Sequence, residues 1–186
     1  TNKPGAKNFD TEKAYHNIMT RFKFGNLKQK GLYIDETTMR MCYTHRRLLG
    51  QTALQLIAEG KKQKAINILK KADVEIPTYN VPLDYLNGGI DMARGWLMTG
   101  QKAKGKEYIE AVWKNASQYL NYYLSLPNDR FLQAEHDCIR QIMIMQSICE
   151  AAGMVSPQLE KKYEKQLNNL YRLYHGRGGR MPEGNQ

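Results

Sequence analysis

Arg40, His45, Arg46 and Arg47 are the densest group of side chains able to do chemistry in this chain. Guanidinium forks bind phosphates and carboxylates through paired hydrogen bonds, so the group reads as a collector of anions. Arg40 and Arg47 stand seven positions apart and share a helix face. The same residues also read, more simply, as a solvated, salt-bridged face. Just upstream, Asp35 and Glu36 offer a carboxylate pair for ligand binding or acid–base work, with Asp84 as a further carboxylate. A helix N-cap followed by a first-turn acid explains Asp35 and Glu36 better. The histidines, His16, His45, His136 and His175, are scattered without HxxxH or HExxH spacing. Glu135, His136 and Cys138 are neighbours but form no convergent ligand set, so no metal is expected. No P-loop, no GxGxxG in a strand context and no GxSxG occurs. The sequence therefore assigns no catalytic residue and no cofactor.

The elements that would position these side chains are helices. Asp10 caps a helix expected to run to about Lys23, with Ala14, Ile18, Met19 and Phe22 on one face. Gly25, Asn26 and Gly31 make a loop. Asp35 then caps a helix reaching Glu59, and Gly60 supplies its left-handed terminator. A partner helix spans about Lys61–Glu75. A third is expected from near Leu83 to Thr99, a fourth from about Gln101 to Leu124 and a fifth from about Arg130 to Ala152. Ser156 and Pro157 open the last helix, which reaches about His175. No stretch alternates as a strand does.

Counted from Gly60, Ala65 is small, Leu69 large, Ala72 small and Pro77 a breaker. This spacing resembles the second half of a tetratricopeptide repeat. Gly100 repeats the role of Gly60, with Gly105 and Ile109 matching Ala65 and Leu69, at a spacing longer than the usual repeat of about 34 residues. The expected fold is all-α: about seven helices, with antiparallel pairs stacked as a tetratricopeptide-like right-handed superhelix. Residues 1–34 give a leading helix and loop, and 35–175 the array, with pairs at about 35–76, 83–126 and 129–175. Residues 176–186 are expected to be a disordered tail. Such arrays hold other molecules in the groove formed by the first helices of each pair. Arg40, Arg47, Tyr85 and Trp96 are the residues expected to line that groove. Trp113, Tyr119, Tyr122 and Tyr123 are a stripe that serves either a core or a binding surface.

The chain has 28 basic against 18 acidic residues, a net charge of +10. That balance suits anionic partners as well as a plain solvated surface. Cys42, Cys138 and Cys149 are an odd set, and Cys138 and Cys149 lie about 16 Å apart on one helix, beyond disulfide reach. They read as small buried side chains. No run of about eighteen apolar residues occurs. The polar start, without Met, reads as a piece cut from a longer protein or a processed one.

Phe22-Lys23-Phe24-Gly25, Tyr33-Ile34-Asp35-Glu36, Arg40-Met41-Cys42, Glu59-Gly60-Lys61 and Val81-Pro82-Leu83-Asp84-Tyr85 follow one another in order. Over about residues 9–100 this order resembles the C-terminal soluble region of a bacterial family of multi-spanning membrane proteins. That family is similar to protein O-mannosyltransferases of the GT-C type. Phe24 stands where the family pattern has Trp. The resemblance implies a parent in the bacterial inner membrane and a periplasmic placement for this domain. It implies a non-catalytic part of a glycosyltransferase-like protein, whose partner is a protein, a peptide or the membrane portion of the same chain. The alternative reading is a free-standing basic helical module that binds nucleic acid or another anionic partner.

Overall fold

Two glycines set the first turns of the fold. Gly60 and Gly100 both adopt positive φ, 77° and 87°, where L side chains are strained. At each turn the glycine amide bonds the carbonyl three residues back, Gly60 to Ile57 and Gly100 to Leu97, both at 2.9 Å. The next amide bonds the carbonyl five back, Lys61 to Leu56 at 2.8 Å and Gln101 to Trp96 at 2.9 Å. This is one helix-terminating motif used twice.

The computed structural model describes residues 9–83 and 88–180. Among these residues there are eight helices and no strand: α1 (Thr11–Thr20), α2 (Glu36–Ala58), α3 (Lys62–Glu75), α4 (Gly89–Met98), α5 (Lys102–Ser125), α6 (Asn128–Gln133), α7 (Glu135–Gly153) and α8 (Pro157–Gly176). The all-helical expectation holds. Three details differ. The leading helix stops at Thr20. The third helix begins at Gly89 behind Gly88, whose φ is 72°. The expected fifth helix is broken at Ala134, with φ −93° and ψ 6°, into α6 and α7. Pro127 starts α6, and Phe131, 2 % exposed, anchors it in the core.

Pairs α2/α3, α4/α5 and α7/α8 each pack together across connectors of the same length, 59–61, 99–101 and 154–156. Such short links force antiparallel neighbours. The junctions between pairs are not alike. The first pair meets the second mainly through α2 on α4, whereas the second meets the third mainly through α5 on α7. At the first junction a Cβ added to Gly50 would lie 2.9 Å from the Asp91 Cβ, and one added to Gly88 would lie 2.5 Å from the Arg47 Cα. Glycine is what allows that approach.

The core is largely apolar, with Leu49, Ala53, Leu56, Ala65, Ile68, Leu69, Met92, Ile142 and Met145 inaccessible to solvent. The three cysteines are free and buried within it. Burial pushes the Cys138 and Cys149 thiols up to about 11. One full charge shares this interior. Arg46, on α2, is 1 % exposed. Its Nη2 donates to the carbonyls of Ile76 (2.9 Å) and Val81 (2.6 Å), and its Nη1 to Pro82 (3.0 Å). It thereby gives donors to the end of α3 and the loop beyond it. Burial pushes its pKa down, opposed by Tyr108, Tyr43, Cys42 and Asp73. Beside it the Tyr108 hydroxyl donates to Asp73 in a short bond, and Lys104 lies 3.3 Å from the same carboxylate.

Helix α1 is stitched to the α2–α3 turn by polar contacts. Thr11 Oγ1 donates to Glu59 at 2.6 Å, and Lys61 bridges Glu59 at 2.8 Å and Glu12 at 2.7 Å. At the other end of the chain, the tail expected to be disordered from Gly176 is held as far as Arg180. Arg177 donates to the Leu124 carbonyl and to Asn128 Oδ1, and its guanidinium lies 4.5 Å over the Phe131 ring. The Arg180 amide donates to Glu135 at 3.2 Å. These contacts were invisible in the sequence because their partners lie some 50 residues upstream (roughly one repeat and a half). Residues 181–186 lie outside the described residues.

Two measurements probe these contacts. Arg46→Met, which keeps the packing volume but removes the donors that Arg46 gives to three carbonyls, is expected to lower unfolding free energy in urea by about 3 kcal/mol or more. Arg46→Lys recovers only part of this, because an ammonium cannot span all three. Separately, Lys61 and Thr11 hold Glu59 down to about 2, from an ordinary 4.5, and Lys61 and Lys64 lower Glu12. Folded pKa values below the unfolded ones give stability that is present above 4.5 and lost as pH falls toward 2. Hydrogen-exchange protection of α1 amides is therefore expected to fall across that window, and Glu59→Gln to flatten the pH dependence.

Candidate functional site

The sequence-nominated residues separate in three dimensions. Arg40 is exposed and donates to Glu36 at 2.6 Å, one turn away. Glu36 is thus occupied, and Asp35 is the N-cap of α2, accepting from the Thr38 amide (3.0 Å) and hydroxyl (2.6 Å). Those hydrogen bonds hold the Asp35 carboxyl below its usual range. Arg46 points into the core, so the arginines do not converge as an anion collector. Their spacing spreads them around α2, with Arg46 toward α3 and Arg47 toward α4. His45 sits between two rings, edge-on to Phe22 at 6.3 Å and Phe24 at 5.9 Å. A shallow depression of about 370 Å³ remains beside Thr37, Arg40, Met41, Thr44 and His45.

Trp96 is a correction. It was expected to line the groove, but it is 4 % exposed and belongs to the core. Its helix, α4, is apolar on most of its circumference because α2 and α5 both pack on it. The Trp96 Nε1 is buried without a hydrogen-bond partner among the described residues. Tyr85 and Asp84 lie outside the described residues.

Arg47 is exposed on α2, and the structure adds neighbours that spacing could not reveal. Asp91, in the first turn of α4, is half-buried where α2 and α4 meet. Arg47 and Arg94 act on it electrostatically, and neither forms an ion pair with it. Burial nevertheless dominates and raises its pKa. Arg94 reaches across to Glu150 on α7 at 3.1 Å. A line of alternating charge, Arg47, Asp91, Arg94, Glu150, thus crosses α2, α4 and α7. The sequence signal for it was weak: an acid one turn before an arginine on α4.

Two other surfaces offer themselves. On α5, Tyr119 and Tyr122 are about half exposed and cluster with Tyr123, at ring separations of 6.2 Å (Tyr119–Tyr123) and 5.5 Å (Tyr122–Tyr123). Trp113, from the same stripe, is core and packs on Tyr163 at 4.3 Å. Between α7 and α8 an open groove of about 400 Å³ is lined by Glu150, Glu160 and Glu164. Among the described residues no three His, Cys, Asp or Glu side chains are placed to hold a metal ion. No helix among them is long and apolar enough to cross a membrane.

Comparison of the chain with protein-family models, curated proteins and solved structures finds no match.

The unpaired carboxylate gives a direct check. Its raised folded pKa makes the ionised form a cost to folding, present above the folded pKa and absent below the ordinary value of 3.8. Asp91→Asn is expected to raise the melting temperature at neutral pH. Paired melts should show the gain shrinking as pH falls toward 3.8.

Proposed function

We propose that this chain is a non-catalytic helical interaction module, with its helix pairs arranged as a tetratricopeptide-like superhelix. Its binding surface is the face of the first helices, α2, α4 and α7. The observation that carries the reading is Asp91, half-buried between Arg47 and Arg94 without an ion-pair partner of its own among the described residues. A carboxylate in that position offers an acceptor, and the flanking guanidiniums offer donors. That combination suits a polypeptide, whose backbone and side chains present both. The repeated Gly60 and Gly100 turns support the repeat reading. The unlike second junction, α5 on α7, supports reading the third pair as a terminal unit.

The partner class is a protein or peptide segment, including another part of the same parent chain. Attachment to a membrane-embedded, O-mannosyltransferase-like parent in the bacterial inner membrane rests on the motif order in residues 9–100. The residues preceding Thr1 in the parent gene test that attachment, since hydrophobic spans are required there.

In cells expressing the parent, a photo-crosslinking residue at Thr44 or Met143, both exposed on first helices, should give discrete adducts. One at Lys165, on α8, should not. Arg47→Gln together with Arg94→Gln should abolish the adducts while the melting temperature stays within a few degrees (a shift of about 1 kcal/mol or less). Equal adducts at all three positions would defeat the reading.

A further inference from the structure

The link from α1 to α2 carries charge that the first-helix face leaves unused. From Lys13 to Ile34 the sequence contains no acidic residue but has Lys13, Arg21, Lys23, Lys28 and Lys30. The link is fixed in place by the loop after α3. Asn80 Nδ2 donates to the carbonyls of Leu27 (2.7 Å) and Gln29 (2.6 Å), and the Tyr79 hydroxyl donates to that of Lys28 (2.7 Å). Phe22, Phe24 and Leu27 turn inward, which leaves Arg21, Lys23, Lys28 and Lys30 exposed. Lys71 joins them from α3, its Nζ 3.3 Å from the Met19 carbonyl at the end of α1. Among the described residues one carboxylate answers this set, Glu75, which pairs with Lys28 at 2.9 Å. Arg21 and Lys23 have no ion pair or side-chain hydrogen bond among the described residues.

We infer that this face docks the chain on an anionic phospholipid surface. Charge complementarity requires an anionic partner, and the residue types choose among them. Four of the five cations, Lys23, Lys28, Lys30 and Lys71 but not Arg21, are lysines, compact charges that suit headgroup phosphates better than base edges. A nucleic acid strand stacks successive bases on open rings, and the link offers one, Tyr33 at 89 % exposed, because Phe22 and Phe24 are engaged with His45. Val74 and Tyr79, 57 % and 54 % exposed, stand at the same end of α3 and its loop. They bring apolar and amphipathic surface to the depth where lysines meet headgroups. The inference uses different elements from the peptide-binding face and does not depend on it.

The test is co-sedimentation of the 186-residue chain with vesicles of about 30 % phosphatidylserine in phosphatidylcholine, against pure phosphatidylcholine, at about 0.1 M salt. Each basic residue near an anionic leaflet is worth about fivefold in partitioning. Lys23→Gln with Lys30→Gln should therefore weaken binding to the anionic vesicles about 25-fold. The control pair Lys114→Gln and Lys165→Gln, equal in net charge, should change it less than about twofold. Should the first pair fail to fold, Arg21→Gln with Lys23→Gln makes the same measurement on side chains without partners. No preference for anionic vesicles, equal loss in both pairs, or tighter binding of a mixed-sequence RNA oligonucleotide lost in the same variant would each overturn the inference.

Discussion

A single guanidinium inside the core fixes how the front half of this molecule is assembled. Arg46 leaves water to hold three carbonyls from the end of α3 and the loop beyond. A buried charge is tolerated only when its donors are met and its field is answered. The carbonyls meet the donors, and Asp73, held by Tyr108 and Lys104, lies in the field. Helix α2 is therefore bound by direction-dependent bonds to the C-terminal end of α3 and its loop, while its opposite side lies on α4. Apolar contact alone would let these helices slide; the fork allows one register. The placement of Arg47 toward Asp91 is a consequence, because the residue next to Arg46 must point about 100° away around the helix.

The helix pairs repeat in their turns and differ in their stacking. Gly60 and Gly100 end their helices with the same two backbone bonds. The third turn uses no left-handed glycine and instead bonds Met154 to Ala151 and Val155 to Ala152, with Ser156 capping α8. The partner helices change with it, from α2 on α4 to α5 on α7. Placing α6 before α7 shifts where the third pair begins, and Phe131 fixes that shift in the core. A cleft lined by the charged side chains Glu150, Glu160 and Glu164 opens at the last pair.

Most of the helices were legible because caps and glycines are local signals. Asp10, Asp35, Ser156 and Gly60 act within three or four residues of themselves, and each stands where its type requires. The break at Ala134 was not legible, since alanine is the strongest helix former and tertiary packing of Phe131 overrode it. The candidate site was harder to read. Arg47 could be nominated from its face, but Trp96 was misplaced because an aromatic on a helix surrounded on both sides looks the same in sequence as one at a rim. Asp91 was missed because its distinction is a missing partner, and spacing does not record that. Arg46 resembled its neighbours until the three carbonyls 30 to 36 residues downstream were in view.

The burial of both tryptophans has an optical consequence. Trp96 lies in α4 with its indole nitrogen unbonded among the described residues, and Trp113 lies on α5 against Tyr163 of α8. The chain has two indoles in all, so its tryptophan fluorescence comes wholly from sheltered chromophores in two different neighbourhoods. Replacing either by phenylalanine would leave a single emitter, and the pair of proteins would show by colour whether the front and rear of the array come apart together or in turn.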